Sequence, residues 1–153
     1  MAGCSLDDID ALDLYSCFPS AVQIACDEMG IPLDDHRGLT ITGGLPYFGG
    51  PGNNYVTHSI AEMINHVRAR PGIKGLVTAN GNYVTKQSAG IYSTEPLDKL
   101  FSPKDPNVYQ AEINSNKGPV FTEFANGNAL IETYTIMHDR AGPSFGILFG
   151  RLN

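Results

Sequence analysis

The chain has 153 residues, with 10 Lys plus Arg against 16 Asp plus Glu and a formal net charge of -6. A chain of this length buries roughly 70% of its unfolded surface, enough for a real core. The acidic balance excludes a sequence-independent grip on nucleic acid, which needs Lys and Arg to displace counterions. No apolar run approaches the roughly 18 to 20 residues of a membrane helix, and MAGCSLDDIDALDL has neither the positive nor the apolar region of a secretory leader. Cys4, Cys17 and Cys26 make an odd set without CxxC spacing, which fits a reducing compartment and a cytoplasmic protein.

From the amino terminus, the pattern predicts alternating strands and helices. Ala11 to Cys17, with Leu12, Leu14 and Tyr15, reads as a short strand. Pro19 suits the first turn of a helix that continues through Val22, Ile24 and Met29, and Gly30 is placed to end it. Residues 38–42 are short and β-branched and predict a second strand. Gly43, Gly44, Gly49, Gly50 and Gly52 then turn the chain. A helix follows from about Tyr55 to Ala69, with Val56, Ile60, Met63, Ile64 and Val67 on one stripe. Residues 75–79 and 88–93 predict two further strands. Residues 1–94 therefore read as a layered α/β unit of order βαβαββ.

After Thr94 the periodicity stops, and residues 95–127 read as a linker. Residues 128–153 predict a β-hairpin, from Ala129 to Met137 and from Phe145 to Phe149. A two-stranded hairpin is marginal in water, so it must pack on the α/β part, pair with another copy, or open a larger domain. With Arg140 and Arg151 as its only basic residues, use as an oligonucleotide-binding barrel is unsupported.

The candidate chemistry clusters near the glycines. Cys17 stands where a strand meets a helix, a position that can make a thiol nucleophilic, or it is a small buried apolar residue. The loop from Gly43 to Asn54 matches neither the dinucleotide fingerprint nor the phosphate-loop signature. It is either a ligand cradle or a tight crossover with Asn54 as helix cap. His58 lies about 200° around the helix from Val56, off the apolar stripe, as a general base facing a cleft or as a solvated side chain. His36, His66 and His138 show no metal spacing, and no metal is assigned.

Three runs carry a resemblance. Residues 13–21 (DLYSCFPSA), the loop TGG through GNNY at 42–55, and LVTANG at 76–81 resemble, in order and spacing, the carboxyl-terminal half of thiolases. The likeness is to the acetyl-CoA acetyltransferase and sterol carrier protein-type branch, where a small β-barrel domain follows the core. Ile131-Glu132-Thr133-Tyr134 with His138-Asp139 looks like the opening of that barrel.

The resemblance implies acyl-CoA chemistry in lipid metabolism, with CoA or acyl-CoA as substrate or ligand and no covalently bound cofactor. It implies a nucleophilic Cys in an amino-terminal half, which this chain lacks, so a missing half or partner subunit is the expected partner; a homo-oligomer is also compatible. The chain itself reads as incomplete at both ends: a fragment, one subunit of a split gene, or a piece. Tyr15 stands where the family has a water-holding Asn or His, Gly50 where it has the His of a GHP motif, and Ala79 or Asn80 where it has a second Cys or a His. Tyr15 and His58 are then the catalytic candidates, with Gly49, Gly50, Gly52, Asn53, Asn54, Asn80 and Gly81 expected at the CoA thioester. Two functions follow: part of a thiolase-like acyltransferase, or a non-catalytic module that binds CoA thioesters or a partner subunit.

Overall fold

The computed structural model describes residues 3–97 and 102–153. These form two units, 1–104 and 105–153. In the first, β1 (Ala11–Asp13), β2 (Lys74–Gly81) and β3 (Lys86–Ser93) make one sheet in the order β1-β2-β3. β1 pairs with β2 in parallel, Leu12 opposite Leu76, and β2 with β3 antiparallel, Ala79 opposite Ser88. Helices α1 (Pro19–Met29), α2 (Leu45–Phe48) and α3 (Tyr55–Ala69) lie in the crossover between β1 and β2.

Strand alternation sorts the core into two layers. Leu12, Leu14 and Leu76 share one buried cluster with Cys26 of α1 and with Ile9 and Ile31. Ala11 and Val77, one residue out of phase, share the other with Met63 and Val67 of α3. The sheet is thus covered by α1 on one face and α3 on the other. Glycine permits the second contact: a Cβ on Gly75 would stand 2.8 Å from Met63 Cγ and closer still to Met63 Sδ. A larger residue here would displace the buried Met63 side chain.

The helix ends follow local chemistry. Pro19 opens α1 at a position whose N–H would be unpaired anyway. Gly30 closes it at φ 67°, and the Gly30 and Ile31 amides donate to Asp27 O and Cys26 O, a left-handed stop that favours glycine. Arg37, after α1, clamps the segment that leads into β1. Its guanidinium donates to Asp35 Oδ1 and Oδ2 and to the carbonyls of Leu6 and Ile9 at 2.8 to 3.1 Å.

Three expectations need correction. The strand read as Ala11 to Cys17 stops at Asp13, because the next amides go to Leu39 O and Thr78 Oγ1 outside the ladder. Residues 38–42 are not a strand. Leu14 N–H donates to Leu39 O, but the Ile41 and Thr42 amides go to the Asp13 side chain instead of a ladder. The observed order is therefore βα, then α2 and α3, then ββ. The segment read as linker holds a helix, α4 (Pro106–Ser115), started by Pro106 and capped by the Asp105 carboxylate on Asn107 N at 2.9 Å. Its residues are all half-buried or exposed, so no apolar stripe announces it.

The second unit also contains β4 (Ala129–Asp139) and β5 (Gly142–Leu152), antiparallel and longer than the sequence pattern suggests, with irregularities near Glu132 and Met137. Nearly every residue of this ribbon is exposed, including Tyr134, Phe145, Leu148 and Phe149. Arg151 and Glu132 pair across it at 2.8 Å.

The Arg37 clamp predicts a pH effect. Its hydrogen bonds hold the Asp35 carboxyl well below the usual carboxylate range. A depressed folded value means the contribution is present above the ordinary Asp value near 4 and is lost as pH falls below it. Asp35→Asn should lower denaturant stability at pH 7, and the gap from wild type should narrow progressively as pH falls from about 4 toward 2. Parallel curves across that range would contradict the assignment.

Candidate functional site

The carboxyl ends of parallel strands β1 and β2 meet the glycine loop between α1 and α3 at the end of the sheet where open α/β folds keep their ligands. At this end lies a buried side chain that the apolar pattern conceals. Asp13, the last residue of β1, is wholly buried and points to the α3 layer, in phase with Ala11. Oδ1 accepts from Tyr55 Oη at 2.9 Å and Ser59 Oγ at 2.7 Å. Oδ2 accepts from Thr40 Oγ1 at 2.9 Å, Thr42 Oγ1 at 3.0 Å, and the Ile41 and Thr42 amides at 3.1 Å each. Asp13 has no ion pair among the described residues. A carboxylate without a cation is tolerated in a core only when donors surround it, and here they do.

These bonds explain both neighbouring segments. Residues 40–42 curl around the carboxylate instead of extending. On α3, Tyr55, Ser59, Met63 and Val67 are the buried residues, one turn apart, so the buried face is centred on a tyrosine and a serine at its amino end. A count of apolar residues alone shifts that face to Val56, Ile60 and Ile64, which are only half-buried.

Tyr15 is partly buried just beyond β1. Its amide donates to Thr78 Oγ1 at 2.9 Å, and its ring meets the Tyr55 ring edge-on, 5.5 Å between centroids at 82°. Burial, then the neighbouring Cys17 and Tyr55, raises the phenol above its ordinary value, so the hydroxyl remains a donor at neutral pH. Cys17 Sγ donates to Asn80 Oδ1 at 3.6 Å, which joins the strand-to-helix turn to β2. Asn80 and Gly81 are ladder residues opposite Gln87 and Lys86, not parts of a loop.

The glycine loop is less open than its composition suggests. Gly44 N–H donates to Thr42 Oγ1, and Leu45 N–H to Ser16 Oγ at 2.8 Å. The amides of Tyr47 and Phe48 go to Gly44 O, and that of Gly49 to Leu45 O. The first part of the loop, Gly49 included, therefore has its donors committed internally. Gly44, at φ 92°, is tied to this role: a Cβ there would sit 3.2 Å from Ser16 Oγ.

Gly50 has extended backbone, and a Cβ on it would lie 2.7 Å from Tyr55 Cβ. Tyr55 thus occupies the space a side chain at this position would need. Gly52 and Asn53 form a tight turn at φ 60° and 66°. Asn54 does not cap α3 with its side chain: its carbonyl accepts from the Thr57 and His58 amides, and its Oδ1 is buried without a partner among the described residues.

His58 is half-buried, with its ring 5.2 Å from Phe48 of α2. The structure brings Tyr15, Cys17, Asn80 and Tyr55 together and places His58 in a separate contact with α2. No group of three or more metal-ligating side chains occurs among the described residues. A cleft of about 820 Å³ opens near Asp10, Arg37, His66 and Arg70; Thr40 and Ile41 also line it, whereas Tyr15, Cys17, Tyr55 and Asn80 do not. The sequence reading missed Asp13, Thr42 and Ser59. The signal was present, because an Asp inside a buried strand and polar residues four apart on a helix face demand partners.

No family model matches the sequence, and no curated protein does. Among solved structures, the chain is similar to a monomeric SCP2-thiolase-like protein type 1 from Mycobacterium smegmatis, with a TM-score of 0.87 and 50% identity over 99% of this chain. The chain spans 33% of that protein's length. The mixed α/β fold is thiolase-like, as the resemblance implied, and no helix among the described residues is long and apolar enough to cross a membrane.

Replacing Asp13 should disturb more than one bond. Asp13→Ala leaves several buried donors without an acceptor and should cost about 3–5 kcal/mol in denaturant unfolding. Ser59→Ala, which removes one donor, should cost about 1 kcal/mol. Equal costs would show that the carboxylate is not shared as described.

Proposed function

We propose that this chain is the carboxyl-terminal part of a thiolase-like protein of acyl-CoA and lipid metabolism, and that by itself it binds a CoA thioester without turning it over. Gly50 carries this reading. It stands where the resemblance expects a His base, and Tyr55 fills the space beside it. A base cannot be restored there by substitution without moving α3. The other expected acid–base positions hold Tyr15, whose phenol stays protonated at neutral pH, and Ala79 with Asn80.

What these residues offer is a set of neutral donors. The Tyr15 hydroxyl and the Asn80 amide nitrogen suit a thioester carbonyl oxygen, while Asn80 Oδ1 is occupied by the Cys17 thiol. Such donors hold and polarise a carbonyl, but they do not remove a proton from carbon or form an acyl-enzyme. Gly50, Gly52, Asn53 and Asn54 would lie along the CoA chain, with Gly49 contributing shape only.

Similarity to a thiolase-like protein favours a second reading, an acyltransferase completed by an amino-terminal half that brings the nucleophile. His58 would then act as its base. Unpaired Cys4, Cys17 and Cys26 support a reducing, cytoplasmic setting for either reading.

Calorimetry with CoA and acetyl-CoA, and a thiolysis assay with acetoacetyl-CoA, separate the two. The expected result is binding in the micromolar to millimolar range, about -8 to -4 kcal/mol, with no thiolysis by wild type or by Gly50→His. Thiolysis on mixing with a thiolase amino-terminal half, abolished by His58→Ala, would establish the second reading. Absence of binding would overturn the first.

A further inference from the structure

We infer that Tyr55 is the positioning residue of this site: buried Asp13 fixes its hydroxyl, and its ring in turn sets the Tyr15 phenol that reads the acyl carbonyl of a thioester. The inference rests on the proposed thioester-binding function and assigns the acyl group, rather than the anionic part of CoA, to this end of the sheet.

One side chain joins four segments. Tyr55 is the first residue of α3 and is 1% exposed. Its hydroxyl lies 2.9 Å from Asp13 Oδ1 on β1 and 2.7 Å from Thr42 Oγ1 on the loop. Its Cβ closes the space beside Gly50, and its ring stands perpendicular to that of Tyr15. The Tyr15 backbone is held separately by Thr78. The phenol is therefore oriented by a rigid backbone and a fixed neighbouring ring, while its hydroxyl makes no hydrogen bond among the described residues and is left for a ligand.

The nature of that ligand follows from charge. Among the described residues no Lys or Arg bonds to Tyr15, Cys17, Tyr55 or Asn80, and buried Asp13 bonds to Tyr55. Neutral donors together with a buried carboxyl suit an uncharged acceptor, such as a thioester carbonyl, better than a phosphate.

The test uses the full chain and Tyr55→Phe, which keeps the ring and removes the hydroxyl. Two readouts are needed. The first is the ratio of acetyl-CoA to CoA affinity by calorimetry. The second is the Tyr15 ionisation, taken as the ultraviolet titration difference between each protein and its Tyr15→Phe counterpart. Wild type should prefer acetyl-CoA by about five-fold, the effect of one hydrogen bond. Tyr55→Phe should bring the ratio near one, leave CoA affinity unchanged, and move Tyr15 ionisation toward that of a free phenol. A lower melting temperature with ratio and titration both unchanged would mean that Tyr55 only supports the fold, and would overturn the inference. If Tyr55→Phe does not fold, Thr42→Val, which removes the second partner of the same hydroxyl, is read in the same way. If wild type binds neither ligand, the thioester function fails, and the titration alone decides the positioning role: an unshifted Tyr15 overturns it.

Discussion

The first unit is organised around a carboxylate that has no cation. Asp13 ends the shortest strand, and its two oxygens accept from α3 on one side and from the loop before α2 on the other. Without those donors the charge would be untenable in a core, and without the carboxylate the donors would be stranded. Each side therefore requires the other. The start of α3, the curl of residues 40–42 and the end of β1 are set together.

The consequences reach the surface through tyrosine. Because Asp13 holds the start of α3, Tyr55 Cβ closes the space beside Gly50 and the Tyr55 ring stands against Tyr15. Because Thr42 is held, its hydroxyl is available to the Gly44 amide, and Ser16 takes the next amide. The glycines thus serve close packing around a polar core more than an open anion cradle. The same economy operates lower in the sheet, where Gly75 admits Met63. The fold is thiolase-like, and the space beside Gly50 is taken by Tyr55.

Much of this was legible from residue order. Pro19 and Gly30 bracket α1 because both act locally, and α3, β2 and β3 follow from apolar periodicity. The helix at Pro106–Ser115 was hidden because it lacks a buried stripe, although Asp105-Pro106 is a local start signal. The strand expected at 38–42 failed for a non-local reason: its amides bind a side chain 28 and 29 residues away. Tyr15 and Gly50 were singled out through the resemblance alone. The close approach of Tyr55 to Gly50 could not be seen, because it depends on the loop folding back on the start of α3. His58 was favoured for lying off the apolar stripe, yet that stripe was drawn without Tyr55 and Ser59.

Amide hydrogen exchange at Ile41 and Thr42 tests the central role of Asp13 most directly. Neither residue belongs to a helix or strand, so the secondary structure gives no reason for protection. If the buried carboxylate organises the segment, both amides will exchange as slowly as those of β1, while Asp34 in the same crossover exchanges freely. Fast exchange at Ile41 and Thr42, with β1 still protected, would contradict the account.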